Sequence, residues 1–361
     1  MNSDNNCDIQ RLRELFTNKK NIAIIGHVNP DADALSSLVI LKYQLENYFN
    51  DINNPKQIDI YADVLEIDDL YAPMLKKYNL NGQKVLGRYD LAIGVDCTDQ
   101  TRFGSFRHIF DTAHETLNID HHETNTFFAD NNFVYKTSST AELLFLIMKN
   151  MKVEINEPVG KLVYAGIITD TNNLSNGEIS DKTYSIINYF LRKGYDIGKV
   201  QEHFFKNNSV SKIKLLEKAI HSLNFACNGK LAIMKLNKVD YNECGANPET
   251  DTLGLVDHAI GLKDVKIAMM IMKQEDNSYR ISLRSKQGIN VGEIAAKFGG
   301  GGHETMAAFS ALNISDFKDD FFKLCNKEFG NAEKDNSADN LFFDDSNQEN
   351  KYNFDFLNLQ H

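Results

Sequence analysis

The chain has 361 residues, 42% of them hydrophobic and 25% charged, a balance that suits a soluble globular protein with room for two domains. Its net charge of −11 argues against a broad basic surface for gripping long nucleic acid, yet allows a small anionic substrate met by local arginines and metals. Five dispersed cysteines form no CxxC pair, so neither a thiolate zinc site nor a disulfide framework is expected. The N-terminus is polar and no window approaches membrane-span length, so the expected location is cytoplasmic, with no membrane partner.

The spacing of Ile9, Leu12, Leu15 and Phe16 predicts an opening helix. The apolar run from Asn21 to Gly26 reads as a buried strand, followed by an amphipathic helix from Asp33 to Phe49. Further strands are expected at Ile58 to Ala62, Leu91 to Val95 and Thr116 to Ile119, the last two closed by Asp96 and Asp120. Strands alternating with helical segments predict an α/β fold with a mainly parallel sheet flanked by helices. From Ser138 to about Phe205 the pattern is helical. Ser139-Thr140-Ala141-Glu142 carries a capping signature, and Asp170 lies just past the run from Pro158 to Ile168.

A second, smaller α/β unit is expected from Ser222, with strands at Leu231 to Met234, Val265 to Ile271 and Tyr279 to Arg284, and a helix at Val291 to Phe298. Gly299-Gly300-Gly301-Gly302-His303 breaks the pattern before a final helix from Asp316 to Phe329, with Gly330 as its stop. The resulting division is 1–205 as a metal-binding catalytic domain, 206–221 as a helical linker, 222–330 as a substrate domain and 331–361 as an acidic disordered tail. The active site is expected in the cleft between the two domains.

Four clusters carry the chemistry: His27-Val28-Asn29-Pro30-Asp31-Ala32-Asp33, Asp96, Asp120-His121-His122, and Asp170. Each sits at or just past the end of an apolar run, where a parallel sheet presents ligands. Any single Asp of this kind is more often a helix cap. Four such clusters together predict two divalent ions: His27 and Asp31 on one, Asp33, His121 and Asp170 on the other, and Asp96 bridging. Oxygen-rich ligation with some imidazole suits Mn²⁺, with Mg²⁺, Co²⁺ or Fe²⁺ as substitutes. Such a pair activates a water and neutralises a phosphate, and His122 is placed to stabilise a phosphoryl oxygen or protonate a leaving group. In the second unit, Gly300, Gly301 and Gly302 are expected to let backbone N–H groups approach an anion. His303, Arg284 and Ser285 are expected to add contacts to a terminal phosphate.

These motifs, with Gly166-Ile167-Ile168-Thr169-Asp170-Thr171, resemble the four motifs of the DHH phosphoesterase superfamily. Leu283-Arg284-Ser285-Lys286 and the glycine run with His303 resemble its associated substrate domain. The layout is similar to the branch of standalone oligoribonucleases that also act on 3′-phosphoadenosine-5′-phosphate. The resemblance implies a Mn²⁺-dependent hydrolase of very short RNAs, dinucleotides and 3′,5′-bisphosphate nucleotides. By motif position it puts His27, Asp31 and Asp96 on one ion, and Asp33, Asp96, His121 and Asp170 on the other. A pyrophosphatase, a single-strand exonuclease and a non-catalytic nucleotide-binding regulator stand as alternatives, and a homodimer remains an open expectation. The sequence departs from the family where Asn172 follows Asp170-Thr171 in place of glycine, and where Met306-Ala307-Ala308 replaces Ala-Ala-Gly.

Overall fold

The computed structural model describes residues 7–63, 88–175, 178–286 and 288–329. It divides the chain into two units, 1–207 and 208–361. Gly330 and the acidic segment 331–361, expected to be disordered, lie outside the described residues.

The first unit is built on five parallel strands: β1 (Asn21–Ile25), β2 (Gln57–Tyr61), β3 (Leu91–Val95), β4 (Thr116–Asp120) and β5 (Asn131–Val134). Their order is β2-β1-β3-β4-β5. β1 reads as a near-continuous apolar run because both of its faces are covered. Ile22 and Ile24 face one core and Ala23 and Ile25 the other. The first core is formed with α1 (Ile9–Asn18), α2 (Ala32–Asp51), α4 (Thr140–Asn150), α5 (Glu157–Asp170), α6 (Asp181–Arg192) and α7 (Gly198–Phe205). The second is closed by Phe103 of a 3₁₀ segment and by Ile109 and Phe110 of α3 (Arg107–Thr112). Strand β5 was not expected from the sequence. Only Phe133 and Val134 are apolar in it, and its Asn132 side chain is buried and bonds locally to the backbone of Ala129.

After β2 the chain crosses to the other side of β1 to form β3, which makes the C-terminal ends of β1 and β3 the switch point of the sheet. Ligands of open α/β sheets bind there, because the connecting loops diverge to opposite faces and leave a crevice. Among the described residues no helix is long and apolar enough to cross a membrane.

The second unit holds a six-stranded mixed sheet: β6 (Asn224–Ala226), β7 (Leu231–Leu236), β8 (Ile267–Lys273), β9 (Tyr279–Ser285), β10 (Gly301–Gly302) and β11 (Met306–Ala311). The order is β10-β11-β9-β8-β7-β6, with β7 and β8 the parallel pair. One face is covered by helices α11 (Val291–Ala296) and α12 (Lys318–Phe329), which pack on Ile267, Met269, Ile281 and Leu283. The other is covered over β7 and β8 by α8 (Val210–His221), α9 (Lys238–Cys244) and α10 (Asp257–Ile260). The helix expected as a linker is therefore integral to this unit: α8 buries Leu215 and Ala219 against Ala232, Met234 and Met270. Past β8 that second face opens, and β9 alternates buried and half-buried residues, with Arg280, Ser282 and Arg284 on the half-buried side.

Candidate functional site

The loop after β1 carries His27, Asp31 and Asp33. Asp31 caps α2, its Oδ1 accepting the backbone N–H groups of Asp33 and Ala34 at 3.1 Å each. Asp33 is fully buried one residue inside α2, and it caps a different helix. Its Oδ2 accepts the N–H of Thr140 at 2.7 Å and its Oδ1 that of Ala141 at 3.0 Å, at the start of α4. The two readings weighed for these aspartates, cap and cluster member, are thus compatible. The N-terminus of α4 offers its orphan donors to a carboxylate that no longer has water.

Asp96 follows β3 in the left-handed backbone region, φ 55°, which an L-residue other than glycine rarely occupies. The turn aims its buried carboxylate back over the strand ends, and Thr140 donates its hydroxyl to Oδ1 at 2.9 Å. Asp120 ends β4 fully buried and accepts from His122 Nδ1 at 2.7 Å and Asn125 Nδ2 at 2.6 Å. His121 Nδ1 donates to the carbonyl of Thr137 at 3.1 Å, and His27 Nδ1 donates to that of Val28 at 2.8 Å. Each Nδ1 bond fixes the ring and presents Nε2 as the ligating nitrogen, the usual arrangement of a metal-binding histidine. His27 Nε2 lies 3.9 Å from Asp96 Oδ2. His121 Nε2 lies 3.7 Å from Asp96 Oδ1 and 3.1 Å from Asp170 Oδ2.

Among the described residues of the first unit, three overlapping groups result: His27 with Asp31 and Asp96, Asp33 with Asp96 and His121, and Asp96 with Asp120 and His122. Within each, one ligand atom per residue lies within 4.8 Å of the others. Asp96 belongs to all three, and Asp170 joins through His121 at the C-terminal end of α5. The fold therefore gathers every residue expected at the metal site.

The electrostatics fit a divalent cation. Burial and the charges of Asp96 and Asp170 push the Asp33 carboxyl well above its ordinary range, and burial with Asp31 and Asp96 does the same to Asp170. Such crowding of carboxylates without water is costly unless a positive charge shares the space. Burial opposes ionisation of His121, but Asp96, Asp33 and Asp120 outweigh it and raise its pKa. His122 is raised in the same way, chiefly by Asp120. Asp120 itself is held well below the carboxylate range: burial works against this, and His122 overcomes it by charge and hydrogen bond. Five carboxylates and three imidazoles without a thiolate form a donor set for a hard or borderline divalent metal.

Sequence reasoning missed several supporting residues. Thr140 was visible only as part of a helix cap. Asn125 bridges Asp120, Asn118 and the Cys97 carbonyl, a role that only the folded loop shows. Gly166, inside the fourth motif, lets α5 approach the site, since a Cβ there would stand 2.2 Å from Asp33 Oδ1 and 2.7 Å from Ala141 Cβ. Arg102, in the 3₁₀ segment, places Nη2 3.3 Å from His27 Nδ1. The departure at Asn172 has a physical account: it adopts φ 45°, and asparagine tolerates this glycine-like conformation better than most residues.

In the second unit the expected substrate residues divide. Arg284 is half-buried, with Nε donating to Asp257 Oδ1 at 2.7 Å and Nη1 to its neighbour's carbonyl at 3.0 Å. Ser285, expected as a donor to substrate, is buried and gives its hydroxyl to the Ile289 carbonyl at 2.6 Å, so it closes a turn. The glycine run is neither a linker nor a loose anion loop. Gly301 and Gly302 pair with Ala308 and Ala307 as β10. Gly300 is required by contact, because a Cβ there would lie 2.1 Å from the Ala308 carbonyl oxygen. Gly302, at φ 142°, would meet the Met306 carbonyl at 2.4 Å. His303 follows this hairpin, half-buried, with its backbone N–H bonded to Met306 O at 2.7 Å.

A parallel sheet with acids and histidines at its switch point, followed by a mixed sheet with a glycine hairpin, defines a two-part hydrolase. Residues 21–167 match the DHH family, N-terminal domain, and residues 229–331 match the DHHA1 domain. The chain carries the N-terminal domain of the DHH family and a DHHA1 domain, and is a phosphoric ester hydrolase. It is 29% identical to an uncharacterised protein of Mycoplasma pneumoniae, across 84% of this chain and 89% of that one. It is 23% identical to the probable bifunctional oligoribonuclease and PAP phosphatase NrnA of Streptococcus mutans, across 84% and 94%. An exopolyphosphatase-related protein from Bacteroides fragilis shares the fold, with a TM-score of 0.76 at 21% identity over 92% of this chain and 97% of that chain.

Proposed function

We propose that the protein is a Mn²⁺-dependent phosphoesterase that hydrolyses short oligoribonucleotides, dinucleotides included, to mononucleotides, and 3′-phosphoadenosine-5′-phosphate to AMP. The observation that carries this reading is Asp96, a single buried carboxylate common to three ligand groups, which is what a bridge between two ions requires. The relatives named for oligoribonuclease and phosphatase activity support the choice of substrate.

In this reading His27, Asp31 and Asp96 hold one ion, and Asp33, Asp96, His121 and Asp170 hold the other. When bound, such ions lower the pKa of a water and offset the charge that builds on a phosphoryl group. The chain's own residues do the rest. Asp120 holds the His122 ring by Nδ1 and favours its charged form, in which Nε2 carries a proton for the departing oxygen. Asn125 in turn fixes Asp120. Thr140 orients Asp96. Arg284 and His303, with the backbone of the glycine hairpin, bind the nucleotide, while Ser285 holds the turn beside them.

The test is a hydrolysis panel with Mn²⁺ containing 3′-phosphoadenosine-5′-phosphate, a linear di-adenylate, a short RNA and pyrophosphate. Mononucleotide from the first three with pyrophosphate intact is expected. Cleavage of pyrophosphate alone overturns the substrate assignment.

A further inference from the structure

Arg102 is placed with unusual firmness for a surface-loop cation. Its carbonyl accepts the N–H of Val28 at 2.8 Å, and its own N–H bonds the Asp99 carbonyl at 3.2 Å. Two residues on, Gly104 sits at φ 55° with space for no more than a hydrogen, because a Cβ there would lie 2.4 Å from Val28 Cγ1. Asp99 closes the start of the same segment by accepting the Thr101 N–H at 2.7 Å. The loop after β3 is thus pinned to the loop after β1, and Arg102 is held at the rim of the acidic centre.

Among the described residues the Arg102 side chain makes one polar contact, to His27 Nδ1 at 3.3 Å, and no ion pair. Arg11, Arg107 and Arg284 each lean on a carboxylate instead. The contact to His27 conflicts with the chemistry of the ring. Nδ1 lies 2.8 Å from the Val28 carbonyl, which calls for a proton on that nitrogen. A guanidinium has donors only, so it gains a hydrogen bond from Nδ1 only if that nitrogen is bare. Whenever His27 uses Nε2 as a ligand, Nδ1 keeps its proton for Val28 and the guanidinium donors are left for an anion.

We infer that Arg102 is a substrate-binding residue that donates to a phosphate oxygen at this centre, an inference that rests on the phosphoesterase reading above. A guanidinium fork matches two oxygens of one phosphate, and it supplies a fixed positive charge beside a set of carboxylates that would otherwise repel the substrate.

The experiment compares the wild-type chain with Arg102→Ala and Arg102→Lys. It measures Mn²⁺ affinity by calorimetry, steady-state constants on 3′-phosphoadenosine-5′-phosphate, and binding of AMP and of orthophosphate to the Mn²⁺-loaded proteins. Loss of a charge-assisted bond weakens binding by about 10- to 100-fold. Arg102→Ala is expected to raise KM and the AMP and orthophosphate dissociation constants within that range, with Mn²⁺ affinity unchanged. Arg102→Lys should fall between the two. A loss of Mn²⁺ affinity with anion binding unchanged would make Arg102 a positioning residue for His27 and overturn the inference, as would no change in either. If the wild-type chain turns over no nucleotide yet its orthophosphate binding depends on Arg102, the inference stands and the substrate reading falls.

Discussion

The two units place their functional side chains by opposite devices. In the first, the strands are buried on both faces and contribute apolar packing, and the chemistry begins one or two residues past their ends, at His27, Asp96 and His121. In the second, Arg284, the nucleotide contact proposed above, lies inside β9, where Arg280, Ser282 and Arg284 alternate onto the half-buried side of the strand. The difference matters for tolerance. Ligands past strand ends depend on backbone turns and cross-loop hydrogen bonds, so one displaced atom disturbs several carboxylates. A side chain on a paired strand is held by the ladder, and its loss is local.

The sharpest way to break the first device is Asp96→Ala. Asp96 is common to the three ligand groups of the first unit, so turnover should fall by about a thousandfold or more with the circular dichroism spectrum retained. Wild-type-like turnover would remove the bridge.

Gly166→Ala tests whether the cost is transmitted through packing. The new methyl group collides with Asp33 Oδ1 and Ala141 Cβ, so a destabilisation of about 1–3 kcal/mol is expected, together with weaker Mn²⁺ binding. Denaturant unfolding and a Mn²⁺ titration read the two effects. A loss of stability with Mn²⁺ affinity intact would show that Asp33 is not a ligand.

Metal and pH separate the units next, because among the described residues the acidic cluster lies in the first. The raised carboxyls of Asp33 and Asp170 mean that the metal-free folded state holds protons the unfolded chain has released, so stability falls as pH rises through their range. His121 and His122 act with the same sign. Their contribution is full below the ordinary histidine pKa and is lost as pH climbs through their raised values. Asp120 acts oppositely, losing its contribution as pH falls below the carboxylate range. The metal-free protein should therefore melt at lower temperature at about pH 8.5 than at about pH 6, and Mn²⁺ should narrow the gap. Binding should release protons, raising apparent affinity by about tenfold per pH unit for each proton displaced. Calorimetry in buffers of different ionisation enthalpy counts them, and zero protons released would contradict the assignment of these ligands.

The smallest effects are expected in the second unit. Arg284→Ala should raise KM for nucleotides by about tenfold while leaving an aryl phosphodiester nearly untouched. Ser285→Ala should cost about 1 kcal/mol of stability through the lost turn bond and leave KM unchanged. Equal effects of Arg284→Ala on both substrates would remove it from the nucleotide site.

Much of the fold was legible because it rests on local pattern. The runs ending at Gly26, Val95 and Asp120 read as buried strands from composition alone, and their polar terminators marked the site before any tertiary contact was known. Strand β5 was hidden because two of its four residues are asparagines, Asn132 bonding to the local backbone and Asn131 to Glu115 and Thr116 across the sheet, which no hydrophobic period records. The linker reading of α8 failed because its apolar stripe has meaning only once β7 and β8 lie beneath it. The sequence by itself determined which residue types were available for metal and phosphate, since that chemistry belongs to the side chains. The tertiary structure alone decided which of them share atoms: that Asp33 caps a helix 107 residues away, that Asp96 is common to three groups, that Ser285 is spent on a turn, and that Arg102 stands beside His27. Those are distances between segments remote in the chain, set by strand order and by close backbone approach, and no local pattern encodes them.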